Sequence, residues 1–288
     1  MVSNIFFTKM NGAGNDFIII DHLTSPEFKP AKNSVIKLCD RKRGIGADGV
    51  FILNLNQEKY SVDFYNSDGS GGSLCGNGSR CCIRYLYDHY PPEGNQIFLK
   101  FRDEIYTGEI ISPEIVRFYL RGVRKLKTGF KIKAQNRLFN AHFADNGSPH
   151  VVINIADVEK VPGSGKFFYD DLSTFPVYDF GREIRYSDDF APAGTNVNFI
   201  SLQDNRYYIR TYERGVENET DACGTGTAAS AVVLFALGIS KPPYEFTTKA
   251  GDSLTIDFEF TENRIKNLSL SGPAEYNFSG SISIKEIE

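Results

Sequence analysis

One four-residue pattern, Cys-Gly-x-Gly running into a helix-forming stretch, occurs twice in this chain and restricts its possible folds more than any other feature. The first copy, Cys75-Gly76-Asn77-Gly78, leads into Arg80-Cys81-Cys82-Ile83-Arg84-Tyr85-Leu86-Tyr87. The second, Cys223-Gly224-Thr225-Gly226, leads into Thr227-Ala228-Ala229-Ser230-Ala231-Val232-Val233-Leu234-Phe235-Ala236-Leu237 and stops at Gly238. About half of the 288 residues separates the two cysteines. In each half, strand-like runs precede the motif, one helix follows it, and further strands complete the half. This pattern predicts an internal duplication: two similar domains, each a curved sheet wrapped around one helix, linked near Gly122 to Thr128. The functional cleft is expected where the two helix N-termini meet. The second helix is apolar nearly all round, so it must be buried on every side.

The segments Phe17-Ile18-Ile19-Ile20, Val50-Phe51-Ile52-Leu53, Ser61-Val62-Asp63-Phe64-Tyr65, His150-Val151-Val152-Ile153 and Ser253-Leu254-Thr255-Ile256-Asp257-Phe258 read as strands bounded by Gly, Asn, Asp and Pro. A short helix is expected over 34–41, capped by Asn33 and burying Ile36 and Leu38 or Cys39. Gly44-Ile45-Gly46-Ala47-Asp48-Gly49 matches the spacing of a dinucleotide fingerprint. It follows a charged run and precedes a strand, whereas that fingerprint needs a strand before and a helix after.

Charge and cysteine usage exclude several classes. The chain has 32 Lys+Arg against 36 Asp+Glu, a net charge of −4, and no basic cluster of the kind nucleic-acid binding requires. No apolar run approaches the ~18 residues of a spanning helix, and the first nine residues lack the features of a signal peptide. A cytoplasmic protein without nucleic-acid or membrane partners is therefore expected. Its five cysteines are expected to stay reduced. Metal binding is not expected, because neither a C-x-x-C pair nor clustered histidines accompany them.

The chemistry follows from where the two cysteines stand. Glycines after each cysteine allow a sharp turn, and the first helical turn leaves N–H groups unpaired and available to an anion. The helix N-terminus also stabilises a thiolate at that point. One such site suggests a nucleophile; two suggest a pair. With both helix ends on one substrate carboxylate, Cys75 and Cys223 would flank the adjacent carbon. One removes the α-proton as thiolate, and the other returns a proton from the opposite face as thiol. The stereocentre inverts, charge developing on the carboxylate is held by the N–H groups, and no cofactor is required. Cys39, Cys81 and Cys82 lack this context and are expected to be core thiols.

These residues together resemble diaminopimelate epimerase. Met10-Asn11-Gly12-Ala13-Gly14-Asn15-Asp16-Phe17 is similar to the family's opening motif, and Asn66 with Asp68-Gly69 and Cys75-Gly76-Asn77-Gly78 to its first catalytic segment. Gly147-Ser148-Pro149-His150, Thr195-Asn196-Val197-Asn198-Phe199, Glu213-Arg214-Gly215 and Cys223-Gly224-Thr225-Gly226 follow in family order. The resemblance implies an α+β fold of two pseudosymmetric domains, each a curved, mostly antiparallel, barrel-like sheet around a central helix. The domains are expected at 1–122, with strands over 272–288 returning to it, and at 123–271. It also implies a homodimer that interconverts LL- and meso-diaminopimelate, in lysine and peptidoglycan precursor synthesis, without pyridoxal phosphate or metal. By similarity Cys75 and Cys223 are the acid/base pair, and His150 and Glu213 tune them. Gly76, Asn77, Gly224 and Thr225 bind the reacting carboxylate, while Asn15, Asn66, Asn196, Glu213 and Arg214 hold the rest of the substrate.

Two positions depart from the pattern. Many family members have Asn where this chain has Ser148 and Gln where it has Gly49. The competing readings are a cysteine-pair racemase of proline or hydroxyproline, whose first motif typically has His in place of Asn77, a phenazine-pathway isomerase of the same fold, and a non-catalytic amino-acid binder.

Overall fold

The computed structural model describes residues 4–56, 59–72, 74–161, 163, 165, 167–283 and 285. The chain divides into two compact units, Met1–Tyr119 with Gly272–Glu288, and Leu120–Ser271.

The first unit contains β1 (Asn4–Gly12), β2 (Asn15–Asp21), α1 (Lys32–Cys39), β3 (Gly49–Asn56), β4 (Lys59–Asn66), α2 (Gly76–His89), β5 (Gln96–Phe101), β6 (Glu104–Ile110) and β7 (Ile115–Tyr119). The final strand of the chain, numbered β17 (Glu275–Ser283), pairs with β1. The spatial order is β17-β1-β2-β3-β4-β5-β6-β7, parallel at β2/β3 and β4/β5 and antiparallel elsewhere. Phe17, Ile18, Ile19 and Ile20 are all buried because both faces of this sheet are covered. Ile18 and Ile20 join Val35 and Leu38 of α1 in one core. On the other side Phe17 and Phe51 pack edge to face, 5.2 Å apart. α2 lies against β1, β2, β3, β5, β6 and β7.

The second unit repeats this plan. It contains β8 (Lys125–Ala134), β9 (Arg137–Asp145), β10 (Pro149–Asn154), α3 (Val177–Arg185), β11 (Asn196–Gln203), β12 (Arg206–Glu213), β13 (Asn218–Thr220), α4 (Gly224–Ala236), β14 (Tyr244–Thr247), β15 (Ser253–Thr261) and β16 (Arg264–Pro273). Its order β8-β9-β10-β11-β12-β14-β15-β16 is parallel at β10/β11 and β12/β14 and antiparallel elsewhere. That is the same succession of directions as in the first unit, with a short helix after the third strand in space and a central helix after the fifth. Among the described residues the three-residue β13, paired with β12, is an additional strand. α4 packs on β8, β9, β10, β11 and β15, and residues 226–234 are buried without exception, as its apolar circumference requires. Neither unit's sheet closes on itself: among the described residues no pairing joins β17 to β7 or β8 to β16.

Several local expectations need correction. The first short helix starts at Lys32 with Ala31 at its N-cap, so Asn33 lies inside it and caps nothing. It buries Ser34, Val35, Leu38 and Cys39, while Ile36 remains 40% exposed. β8 takes up Lys125 to Thr128, which the sequence assigns to a linker. α3 has no counterpart among the helices expected from the sequence, although Val177, Phe180 and Ile184 have helical spacing and form its buried face. The glycine-rich 44–49 segment connects α1 to β3, the reverse of the dinucleotide order. Among the described residues no helix is long and apolar enough to cross a membrane.

Candidate active site

In both units the motif cysteine is the N-cap of the central helix, Cys75 for α2 and Cys223 for α4. Each keeps an extended backbone, and its carbonyl accepts from the N–H four residues on, Ser79 at 2.8 Å and Thr227 at 2.9 Å. The intervening residues therefore direct their N–H groups outward past the end of the helix. Glycine three residues after each cysteine is dictated by packing. A Cβ on Gly78 would lie 2.2 Å from the Phe51 ring, and one on Gly226 would lie 2.1 Å from Asn198 Oδ1. The helices can reach these positions only because the glycines present no side chain. Cys75 is partly exposed and Cys223 is 7% exposed. Cys39, Cys81 and Cys82 lie in the core, where burial pushes the Cys39 and Cys81 thiols up to about 12 and that of Cys82 well above the usual value.

Around Cys75 the structure links three of the expected residues. Asn77 Nδ2 donates to Asn15 Oδ1 at 2.7 Å, and Asn15 Nδ2 donates to Asp48 Oδ2 at 3.0 Å. Arg80, fully buried, donates to Asn77 Oδ1 at 3.0 Å and to the Gly76 carbonyl at 3.4 Å. A guanidinium thus underlies the first turn of α2 and adds positive charge to it. Behind Asn15, Arg41 forms a bidentate pair with Asp16 and reaches Asp48 at 2.7 Å, while Lys9 bridges to Asp16 at 2.8 Å. Burial pushes the Asp16 carboxyl up, but hydrogen bonds from Arg41 and Lys9 outweigh it and hold the group below its usual value. Asn66 ends β4 opposite Gly49, and its Nδ2 donates to Ser70 Oγ at 3.0 Å. Gly49 has no room for a side chain, because a Cβ there would meet the Phe64 ring at 2.5 Å and the Tyr65 carbonyl at 2.6 Å.

Around Cys223 the network is denser. Thr225 Oγ1 lies 3.7 Å from Cys223 Sγ and 3.0 Å from His150 Nε2. Asn196 holds three strand ends together: its Nδ2 donates to Ser148 Oγ at 3.0 Å and the Pro149 carbonyl at 2.9 Å, and its Oδ1 accepts the Arg214 N–H at 2.9 Å. Ser148 is thereby bound to Asn196. Glu213 Oε2 accepts the Thr220 hydroxyl at 2.8 Å, and the half-buried Arg214 donates to the Ala193 carbonyl. His150 is completely buried. Burial pushes its imidazole down to about 3, helped by the Arg214 charge, so the ring is neutral.

Two residues of this network escaped sequence reasoning. Asn198 stands two places after Asn196 on β11 and therefore points to the same face, a signal that the sequence did carry. Asn146, 4% exposed, donates through Nδ2 to the Thr225 carbonyl at 2.9 Å. Its Oδ1 is buried without a partner among the described residues. Nothing in its surroundings in the sequence marks it.

Comparison with known proteins places these motifs in one family. The family model described as diaminopimelate epimerase matches residues 7–112 and 142–276. A diaminopimelate epimerase of Hydrogenobaculum sp. is 35% identical over 97% of this chain and 99% of its own length. That of Aquifex aeolicus is 34% identical over 98% and 99%. Solved structures give the same fold at lower identity. A probable proline racemase from Agrobacterium radiobacter superposes with a TM-score of 0.69 at 13% identity, over 97% of this chain and 93% of that one. A Bacillus anthracis protein of the PhzF family superposes at 0.71 and 10%, over 98% and 100%. The paired cysteine motifs, the ordered segments between them and the near full-length similarity agree: this chain is an isomerase belonging to the diaminopimelate epimerase family.

Proposed function

We propose that this protein interconverts LL- and meso-diaminopimelate by inverting one α-carbon between two thiols, Cys75 and Cys223, with no cofactor. One observation carries the reading. A cysteine caps the central helix at the equivalent place in two units of the same strand order, so each unit supplies one thiol and one set of outward N–H groups. The thiolate on one side takes the α-proton, and the thiol on the other supplies one to the opposite face. The N–H groups at Gly76, Asn77, Gly224 and Thr225 hold the carboxylate, where charge accumulates as the proton leaves. His150 and Glu213 tune the thiols. Asn15, Asn66, Asn196, Glu213 and Arg214 take the remaining polar groups of the substrate, with Arg214 suited to the distal carboxylate. The working domains are 1–122 with 272–288, and 123–271, and the site of action is the cytoplasm.

A homodimer belongs to the same reading. Exposed aromatics on the first unit, Phe6 on β1 at 56% and Phe278 on β17 at 52%, are available for a second copy to cover. Light scattering of the purified protein should give twice the chain mass.

The reaction is tested in deuterated water with LL-diaminopimelate. Deuterium should enter the α-carbon as the meso isomer appears, with chelator and without added pyridoxal phosphate. Cys75→Ala and Cys223→Ala should each abolish epimerisation. Turnover close to the parent by either variant would sink the two-thiol mechanism, and turnover of proline in preference to diaminopimelate would move the protein to the racemase reading.

A further inference from the structure

The hydrogen bonds behind Cys223 run in one direction, and that direction assigns a role to a hydroxyl. The starting point is Asn198, whose amide has only one orientation that fits its neighbours. Its Oδ1 accepts the Thr211 hydroxyl at 2.9 Å, and its Nδ2 donates to the Val151 carbonyl at 2.8 Å. A carbonyl cannot donate, so the nitrogen must be where it stands. The second hydrogen of that nitrogen faces His150 Nδ1 at 3.3 Å. Nδ1 is therefore the acceptor of the ring. Since the imidazole is neutral, its single proton sits on Nε2. Nε2 in turn lies 3.0 Å from Thr225 Oγ1 and donates to it. The threonine hydroxyl has one hydrogen of its own, and Cys223 Sγ lies 3.7 Å from the same oxygen.

We propose that the Thr225 hydroxyl donates its hydrogen bond to the Cys223 thiolate, and that Asn198 and His150 are positioning residues that aim it there. The inference rests on Cys223 working as a thiolate. His150 fills an acceptor site of the hydroxyl oxygen and presents no lone pair to it, so the hydroxyl hydrogen is not drawn towards the ring. A hydrogen bond to an ionised sulfur is stronger than one to a neutral thiol, so the arrangement favours the thiolate. No proton leaves Thr225. When Cys223 accepts the substrate proton the hydrogen bond weakens, and when it gives the proton up the bond is restored. Asn146 steadies the same turn by holding the Thr225 carbonyl.

The test reads thiol reactivity and ring tautomer, not turnover, so it stays informative even if the two-thiol mechanism fails. In a Cys75→Ala background, alkylation of Cys223 by iodoacetamide at pH 7 is followed by peptide mass spectrometry. Thr225→Val removes the hydroxyl at nearly constant shape and should slow alkylation. A rise of one unit in thiol pKa cuts the thiolate fraction tenfold but raises nucleophilicity only in part, a net loss of about threefold. Thr225→Ser restores the donor and should react within about twofold of the parent. In nitrogen-15 NMR spectra of the full chain, His150 should show the Nε2–H tautomer. Asn198→Leu should shift the ring to a mixture of tautomers and slow Cys223 alkylation. Equal rates for the Val and Ser variants, or a His150 ring protonated on Nδ1 in the parent protein, would overturn the proposal. Should the Asn198 variant not fold, the Val and Ser pair decides the matter alone.

Discussion

His150 shows how a single buried residue couples this fold to pH. Its folded value of about 3 lies below the ~6.5 of an exposed imidazole, so between those limits the unfolded chain binds a proton that the folded chain refuses. Stability therefore rises with pH across this window. The contribution is complete above ~6.5 and is lost progressively as the pH falls towards about 3. His150→Gln cannot titrate and should remove that sensitivity. It should also be less stable near pH 7, because glutamine cannot match both ring contacts, the one to Asn198 and the one to Thr225. Urea midpoints from pH 7 to pH 4 are the measurement. The parent should lose stability on acidification faster than the variant, by at most ~1.4 kcal/mol per pH unit. Parallel profiles would mean that the ring is not held neutral.

At the scale of elements, the glycine three residues after each cysteine is the point at which helix and sheet must fit. Gly78→Ala and Gly226→Ala should each destabilise by ~1–3 kcal/mol, the range for overpacking, since the new methyl would meet the Phe51 ring or Asn198. Gly71→Ala has open space and should be nearly neutral in the same urea titrations. A neutral result at both motif glycines would show that the close contacts relax without cost. These contacts also explain what the sequence reveals and what it hides. β2 and β10 are legible because their apolar runs are buried on both faces, and α4 because its circumference is apolar. The starts of α2 and α4 are legible from the Cys-Gly-x-Gly turns, even though glycine has low helix propensity, which the tight packing overrides. α3 is masked by Gly181, placed mid-helix because a Cβ there would lie 2.4 Å from Tyr212 Cβ. Asn33, a good N-cap by type, is bypassed when α1 begins at Lys32. In the site, repetition alone singles out the two cysteines. The asparagines do not announce themselves, because an amide in a turn looks the same whether it punctuates the backbone or, like Asn196, ties three segments together.

For the whole molecule, the proposed mechanism has a redox consequence. If both thiols must reach one α-carbon from opposite sides, only that substituted carbon separates them during the reaction. A disulfide requires sulfurs at ~2 Å and Cα atoms within ~7 Å, an approach that becomes feasible once the substrate is absent. The other cysteines are poor competitors. Cys39, Cys81 and Cys82 are buried, as Cys223 also is, but burial raises their thiols so that little thiolate forms, and none of them caps a helix. Oxidation follows thiolate character and access, so mild oxidation should join Cys75 to Cys223 and spare the rest. Activity should fall as the bridge forms and return with dithiothreitol. A substrate analogue present during oxidation should protect, because it keeps a carbon between the sulfurs. Peptide mapping of the inactive protein should give one cross-linked pair containing Cys75 and Cys223. Inactive protein with both of these thiols free, or with a bridge confined to Cys39, Cys81 and Cys82, would count against their meeting on a common substrate atom, and with it against the reading of the two units as halves of one catalytic site.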